Sequence, residues 1–221
     1  MIRAVIFDMD GVIIDSEKDY KQIEWDMYAE MGLPVSEEEA MESMGTVCRD
    51  WWQTLKNRYH FEQSAEELAA REDRLYVEYL FDDSRPKTMM PGADALLVAL
   101  KERGLKTAVA SSSVPQAIER VLGLFKIEQY FDKKVSGHEV KAGKPAPDVF
   151  LKAAEHLGVL PEECLVVEDS YNGIRAAKAA GMQCIAYLSA PEGVVDYTLA
   201  DYKVADFADF FDVTAPLFDN H

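Results

Sequence analysis

Two aspartates follow the first apolar run of the sequence. Ala-Val-Ile-Phe occupies residues 4–7, and Asp8 and Asp10 come next, one residue apart, ahead of Gly11. A short apolar run with β-branched members is typical of a strand buried on both faces. The acids at its end would point at the carboxyl edge of a sheet, where open α/β folds bind their ligands. Alone the pair is weak evidence, because 40 of the 221 residues are Asp or Glu.

Other polar residues occupy comparable places further along the chain. Ser111 ends a second apolar run, and Glu168 with Asp169 ends a third. Lys144 lies in a Gly-Lys-Pro-Ala-Pro loop before a predicted helix. Each cluster has a structural alternative: Ser113 could be only the cap of the helix that follows it, Asp169 could cap the next helix, and Lys144 could be a solvated loop lysine. We favour a shared site, because a doubly wound sheet would bring all of these groups to one crevice.

Helical and strand patterns alternate regularly beyond Pro91. The helices are amphipathic and the strands are continuous apolar runs, which indicates a parallel sheet covered on both faces. The predicted strands are 4–7, 106–110, 164–167 and 184–187, and the predicted helices include 92–103 and 172–180. The sequence therefore predicts an α/β fold with a doubly wound, Rossmann-like parallel sheet.

Residues 16–88 have a different character, without strand-like alternation. Apolar residues recur there at helical spacing, and Ser36 and Ser64 each begin a capping-box sequence. These features predict an all-helical domain inserted after the first strand. The predicted domains are therefore an α/β core of residues 1–15 and 89–221, and a helical domain of residues 16–88.

Arg49, Trp51 and Trp52 form a short cationic and aromatic segment inside this insertion. An arginine suits recognition of phosphate or of sugar hydroxyls, so the segment could border a substrate site. The alternative is that both tryptophans fill the small core of the helical domain, and we favour that interpretation for the tryptophans. For Arg49 both interpretations stay open.

Composition limits the partners that the protein can have. The formal net charge is −17, which disfavours nucleic acid or an anionic membrane as a partner. No apolar run of the sequence approaches membrane-spanning length, and because the first strand begins at residue 4 we expect no signal peptide ahead of it. Three widely separated cysteines argue against a disulfide framework. We therefore expect a cytoplasmic monomer.

The motifs together resemble those of the haloacid dehalogenase superfamily, in the subgroup with a helical cap inserted after the first strand. Asp-Met-Asp-Gly-Val at residues 8–12 is similar to its first motif, and Ser111 to its second. Lys144 with the following proline is similar to its third motif, and residues 168–170 to its fourth. The Lys-Pro-Ala-Pro-Asp and Glu-Asp-Ser-x-x-Gly forms resemble most closely the β-phosphoglucomutase-like and sugar phosphatase branch.

This resemblance implies a phosphatase that works through an aspartyl-phosphate on a small phosphorylated metabolite. Asp8 would be the nucleophile, and Asp10 would protonate the leaving alcohol and later activate water. Ser111 would bind a phosphoryl oxygen, and Lys144 would balance charge on the phosphoryl group and on Asp8.

The resemblance also implies a bound Mg²⁺. Asp8, Asp169 and the backbone carbonyl of Asp10 would hold it, with Glu168 a further ligand or directly behind one. Four carboxylates against Mg²⁺ and Lys144 would leave the site net negative before an anionic substrate arrives. A proton on Asp10 would remove that excess.

Departures from the family patterns narrow the expected activity. Asp10 argues against a haloacid dehalogenase, because the departure of halide needs no proton. β-Phosphoglucomutases usually carry a histidine where this chain has Tyr20. Hydrolysis of a small phosphate ester, with sugar phosphates as substrates, is the first hypothesis, a mutase is the second, and a non-catalytic binding protein is the third. Ser112, Arg49 and Tyr20 are the candidates for substrate binding.

Overall fold

The chain divides into two compact units. The computed structural model describes residues 1–40, 48–191 and 193–218. Unit 1 comprises Met1–Asp15 and Lys87–His221, and unit 2 is Ser16–Pro86. The insertion therefore ends at residue 86, where the sequence placed its end at 88. Among the described residues, no helix combines the length and the apolar character that crossing a membrane requires.

A parallel six-stranded sheet forms the centre of unit 1 in the part of the chain that the structure describes. Its strands are β1 Ala4–Phe7, β2 Lys106–Ser111, β3 Lys133–Ser136, β4 Cys164–Glu168, β5 Gln183–Tyr187 and β6 Tyr202–Val204. They lie in the order β3-β2-β1-β4-β5-β6, and every neighbouring pair is parallel. The strand order reverses at β1, which is the feature that defines a doubly wound sheet.

Helices precede or follow these strands along the chain and pack against the sheet. They are α5 Ala93–Glu102, α6 Pro115–Leu124, α7 Asp148–Leu157, α8 Tyr171–Ala179 and α9 Phe210–Phe218. All four residues of β1 are buried, as a strand covered on both faces requires. On one face, Ala4 and Ile6 share a core cluster with Phe150 of α7 and Ile174 of α8. The α/β fold predicted from the sequence is confirmed.

Unit 2 contains helices and no strand in its described residues. Its helices are α1 Glu17–Met31, α2 Glu37–Ala40, α3 Cys48–Tyr59 and α4 Ala65–Phe81. The predicted capping box at Ser64 is formed: its Oγ accepts a hydrogen bond from the Glu67 N–H at 3.1 Å. The Glu67 carboxylate accepts one from the Ser64 N–H at 2.9 Å in return. The box at Ser36 has the same pair of hydrogen bonds.

The two tryptophans fill the core of unit 2. Trp51 and Trp52 are 2% and 0% exposed. Each indole N–H is satisfied inside the core: Trp51 donates to Tyr28 Oη and Trp52 to Glu72 Oε2, both at 2.7 Å. The core interpretation of these tryptophans is confirmed.

The strands that the sequence did not predict are the two edge strands. β3 begins with the exposed Lys133 and Lys134, and β6 has the exposed Lys203 at its centre. An edge strand has neighbours on one side only, and lysines there discourage pairing with another chain. Both strands therefore lack the continuous apolar run by which the central strands are recognised.

Candidate active site

Three predicted site residues lie at the carboxyl ends of adjacent strands in unit 1. Asp8 follows β1, Ser111 is the last residue of β2, and Glu168 is the last residue of β4. The strands run side by side in the order β2-β1-β4, so their carboxyl ends share one edge of the sheet. The backbone N–H of Asp8 donates to the Val167 carbonyl at 2.9 Å, which continues the sheet register to this residue.

Lys144 reaches the same edge from the loop before α7. Its Nζ donates to Asp8 Oδ1 and to Glu168 Oε1, each at 2.7 Å. Lys144 and Asp8 are each 7% exposed and Glu168 is fully buried. A buried ammonium is tolerated when it is paired and hydrogen-bonded, as it is here. The solvated-loop interpretation of Lys144 is therefore wrong.

Glu168 is held rigidly by the turn that follows it. Its Oε2 accepts hydrogen bonds from the Asp169 N–H, the Ser170 N–H and the Ser170 hydroxyl, all at 2.9 Å. Ser170 also caps α8, since its Oγ accepts from the Gly173 N–H at 3.0 Å. A Cβ at Gly173 would lie 1.6 Å from Glu168 Oε1, so the glycine leaves the space that this carboxylate occupies.

Asp169 lies next to the turn that ends β1. Its Oδ2 occupies the space where a side chain at residue 11 would begin: a Cβ on Gly11 would be 1.9 Å away. Gly11 also has a φ of +74°, which favours glycine. Asp169 Oδ2 also accepts a hydrogen bond from the Ser189 hydroxyl at 2.9 Å. The cap of α8 is therefore Ser170, and Asp169 is available for the site.

The serine loop after β2 positions Asp10. The Ser113 hydroxyl donates to Asp10 Oδ2 at 2.8 Å, and the Ser113 N–H donates to Ser111 Oγ at 3.0 Å. The loop is itself supported from β3, where the Ser136 hydroxyl donates to the Ser113 carbonyl at 2.7 Å. Ser113 is not the cap of α6, whose N-cap is Val114.

Burial raises the pKa of two carboxyl groups in the cluster. Burial raises the pKa of Asp8 to about 7, with Glu168 and Asp10 adding to the effect and Lys144 opposing it. Burial together with Glu168 and Asp8 also raises the pKa of Asp169. For Lys144, burial would lower the pKa, but attraction by Asp8 and Glu168 outweighs it and the pKa is raised. The cluster therefore needs more positive charge than Lys144 supplies.

Three carboxylates of the cluster are close enough to share a cation. One oxygen each of Asp8, Glu168 and Asp169 lies within 4.8 Å of the other two. All donors are oxygens, which Mg²⁺ prefers. When all three groups are ionised, their three negative charges less the positive charge of Lys144 leave two negative charges, which match a divalent ion. Glu168 already accepts four hydrogen bonds, so Asp8 and Asp169 are the better-placed direct ligands. The residues therefore fit Mg²⁺.

The candidates for substrate binding lie in different places. Ser112 is exposed between the two buried serines of its loop. Arg49 and Tyr20 belong to unit 2. Arg49 is exposed and binds Asp50 at 3.0 Å, and the Tyr20 ring stacks on Tyr76 with centroids 4.0 Å apart. The role of these three residues in binding stays a prediction.

Three supporting residues were not predicted for this site. Gly173 appears in the Glu-Asp-Ser-x-x-Gly sequence, and its spacing could have indicated the room that Glu168 needs. The sequence indicates Ser113 only as a helix cap, because its contact with Asp10 spans distant parts of the chain. Ser189 follows a strand that does not end in a recognised motif, so the sequence carries no signal for its contact with Asp169.

Comparisons with known proteins agree with this geometry. The family model of haloacid dehalogenase-like hydrolases matches residues 2–181. Hexitol phosphatase B of Escherichia coli K12 is 34% identical over 216 residues, which cover 94% of each chain. Beta-phosphoglucomutase of Bacillus subtilis is 34% identical over 193 residues, 82% of this chain and 81% of that one. The crystal structure of CbbY from Rhodobacter sphaeroides in complex with phosphate has a TM-score of 0.78 and 25% identity, over 95% of this chain and 96% of that one.

The match to the family model covers most of the chain, and the two relatives align over 94% and 82% of it. The expected motifs lie together at the carboxyl edge of the sheet, where the fold class binds ligands. The chain therefore belongs to the haloacid dehalogenase superfamily, as a phosphatase of the sugar phosphatase and β-phosphoglucomutase-like branch.

Proposed function

We propose that this protein hydrolyses small sugar phosphates with the help of Mg²⁺, through a phosphoryl group carried transiently on Asp8. The observation that carries the proposal is the ammonium of Lys144 between Asp8 and Glu168, with Asp169 alongside. A buried carboxylate with a cation at one oxygen and a metal-binding carboxylate beside it is suited to attack an anionic phosphate. The protein would act as a cytoplasmic monomer on a small metabolite, without nucleic acid or membrane.

In the first step, an oxygen of Asp8 attacks phosphorus and the bond from phosphorus to the ester oxygen breaks. Asp8 must be ionised to attack, and its burial opposes this. Lys144 donates to Asp8 Oδ1 and favours the ionised form. A bound Mg²⁺ would supply further positive charge for Asp8 and for the phosphoryl oxygens. Asp8 and Asp169 would hold it, with the Asp10 carbonyl.

Asp10 is the proton donor of the first step and the proton acceptor of the second. It gives a proton to the departing ester oxygen, and in the second step it takes one from the water that attacks the aspartyl-phosphate. The Ser113 hydroxyl holds Asp10 Oδ2 and so limits the rotation of this carboxyl group. Ser111 lies at the end of β2 beside these groups, where its hydroxyl would bind a phosphoryl oxygen.

The relatives favour a sugar phosphate as the substrate. One is named a hexitol phosphatase and another a β-phosphoglucomutase, and both names refer to phosphorylated carbohydrates. The second relative makes mutase activity the alternative function. Tyr20 argues against it, because a phenol cannot supply the imidazole of the histidine that such mutases usually carry here, and its ring is stacked on Tyr76. We therefore place hydrolysis first.

The test is a panel of hexitol, hexose and pentose phosphates assayed for phosphate release with Mg²⁺. β-Glucose 1-phosphate with glucose 1,6-bisphosphate is followed by NMR as a separate sample. We expect phosphate release from at least one sugar or sugar-alcohol phosphate and no accumulation of glucose 6-phosphate. Isomer formation faster than phosphate release would identify a mutase instead, and the absence of turnover on every ester would reject hydrolysis of sugar phosphates.

A further inference from the structure

Ser189 contacts the acidic cluster from a part of the chain outside the family motifs. It follows β5, and its Oγ donates to Asp169 Oδ2 at 2.9 Å. Its backbone is fixed: the Ser189 N–H donates to the Tyr187 carbonyl at 2.9 Å, and the Leu188 N–H donates to the Val204 carbonyl of β6 at 2.8 Å. The hydroxyl is therefore presented by the sheet itself.

Asp169 Oδ2 has two close neighbours. One is Gly11, where a Cβ would lie 1.9 Å from this oxygen. The other is the Ser189 hydroxyl, which donates to it at 2.9 Å. The Asp169 backbone is also anchored, because its N–H donates to Glu168 Oε2 at 2.9 Å. Gly11 supplies space but no hydrogen bond, so Ser189 is the group that attracts this oxygen into place.

We propose that Ser189 is a positioning residue for the metal ion: it fixes the rotation of the Asp169 carboxylate so that the group binds Mg²⁺ together with Asp8. This inference rests on the proposed function, which assigns Asp169 as a metal ligand. Hydrogen bonds to a ligating carboxylate keep it oriented before the metal arrives, and their loss typically weakens metal binding about 10- to 100-fold.

The experiment measures Mg²⁺ binding directly, by isothermal titration calorimetry on the metal-free protein. Ser189→Ala should raise the Kd for Mg²⁺ by about 10-fold or more. Ser189→Thr keeps the hydroxyl and should bind Mg²⁺ much as the wild type does. Thr198→Ala is the matched control, because Thr198 is an exposed hydroxyl residue in the same C-terminal part of unit 1. At saturating Mg²⁺, Ser189→Ala should recover most of the wild-type kcat.

The outcomes separate positioning from a structural role. A structural role alone would lower the Tm measured in EDTA and leave the Kd for Mg²⁺ unchanged, and an unchanged Kd overturns the inference. So does a Ser189→Thr variant that binds as weakly as Ser189→Ala. Wild-type protein that binds no Mg²⁺ would overturn it as well. Normal Mg²⁺ binding without hydrolysis of any phosphate ester would instead overturn only the proposed function.

Discussion

At the scale of single residues, the site depends on a glycine as much as on its charged side chains. Glu168 is fully buried and directed at Lys144, and it lies where a Cβ of Gly173 would be. Gly173 is inside α8, where alanine would ordinarily be the better helix former. Steric exclusion and helix propensity therefore act in opposite directions at this residue.

We expect Gly173→Ala to destabilise the protein, because the added methyl group would displace Glu168 and break its contact with Lys144. The matched control is Gly123→Ala in α6, where a Cβ would meet nothing within 4 Å. That change should stabilise the protein by about 0.5–1 kcal/mol through helix propensity. Thermal unfolding shows whether each variant is more or less stable than the wild type. A stabilised Gly173→Ala variant would show that Glu168 moves aside easily.

Asp10 offers a second test at this scale, through the identity of the leaving group. Asp10→Asn should lower kcat/KM for a sugar phosphate by about 10²–10⁴-fold, because an alkoxide needs a proton as it leaves. With p-nitrophenyl phosphate the loss should be smaller, since that phenolate leaves without a full proton. Steady-state rates on both esters give the comparison. Equal losses would remove Asp10 from the role of acid in the first step.

At the scale of elements, unit 2 contains a buried acid that the proposed chemistry does not use. Glu72 of α4 is 5% exposed and accepts hydrogen bonds from Trp52 Nε1 at 2.7 Å and from Cys48 Sγ at 3.1 Å. Burial is the main cause that raises its pKa above the ordinary 4.5. The folded state therefore binds this proton more tightly than the unfolded chain does.

The sign of the resulting pH dependence follows from that shift. The stability that Glu72 contributes is fully present below the pKa that Glu72 has in the unfolded chain. It falls as the pH rises through the higher pKa that Glu72 has in the folded protein. Glu72→Gln keeps a carbonyl acceptor for Trp52 but cannot ionise. We therefore expect the Tm of the variant relative to wild type to increase from about pH 5 to about pH 8.

Thermal unfolding across this pH range tests the prediction. Glu66→Gln, at an exposed residue of the same helix, is the control and should leave the Tm nearly unchanged. A difference between Glu72→Gln and wild type that stays flat with pH would show that Glu72 is not protonated preferentially in the folded state.

Elements also differ in how far the sequence predicts them. The central strands β1, β2, β4 and β5 were predicted because burial on both faces requires an uninterrupted apolar run. The edge strands were missed because solvent on one side allows lysines into a short strand. The same division applies to the site. Asp8, Lys144 and Glu168 stand in recognisable motifs, whereas the contacts of Ser113 and Ser189 join distant parts of the chain that no local pattern connects.

At the scale of the whole molecule, the charge opposes the proposed substrate. A net charge of −17 repels a phosphate ester, and Lys144 and a metal ion would counter this inside the site. Added salt shortens the Debye length from about 30 Å at 0.01 M to about 8 Å at 0.15 M and so screens the repulsion.

We therefore expect kcat/KM to rise as NaCl is increased from about 0.01 M to about 0.15 M at saturating Mg²⁺. The kcat should stay nearly constant, because it describes substrate that is already bound. Initial rates at several ionic strengths measure both constants. A steep fall of kcat/KM with salt would contradict this expectation and would indicate that a positive local field attracts the substrate.

The central claim is that Asp8 carries the phosphoryl group. The most direct measurement is a rapid acid quench of the protein during turnover of its best substrate with Mg²⁺, followed by peptide mass spectrometry. We predict a hydroxylamine-labile phosphoryl group on the peptide that contains Asp8, and neither this group nor measurable turnover in Asp8→Asn, whose side chain is nearly isosteric. Turnover by Asp8→Asn at the wild-type rate, or phosphate release without any phosphorylated peptide under conditions that trap the intermediate, would contradict the covalent mechanism.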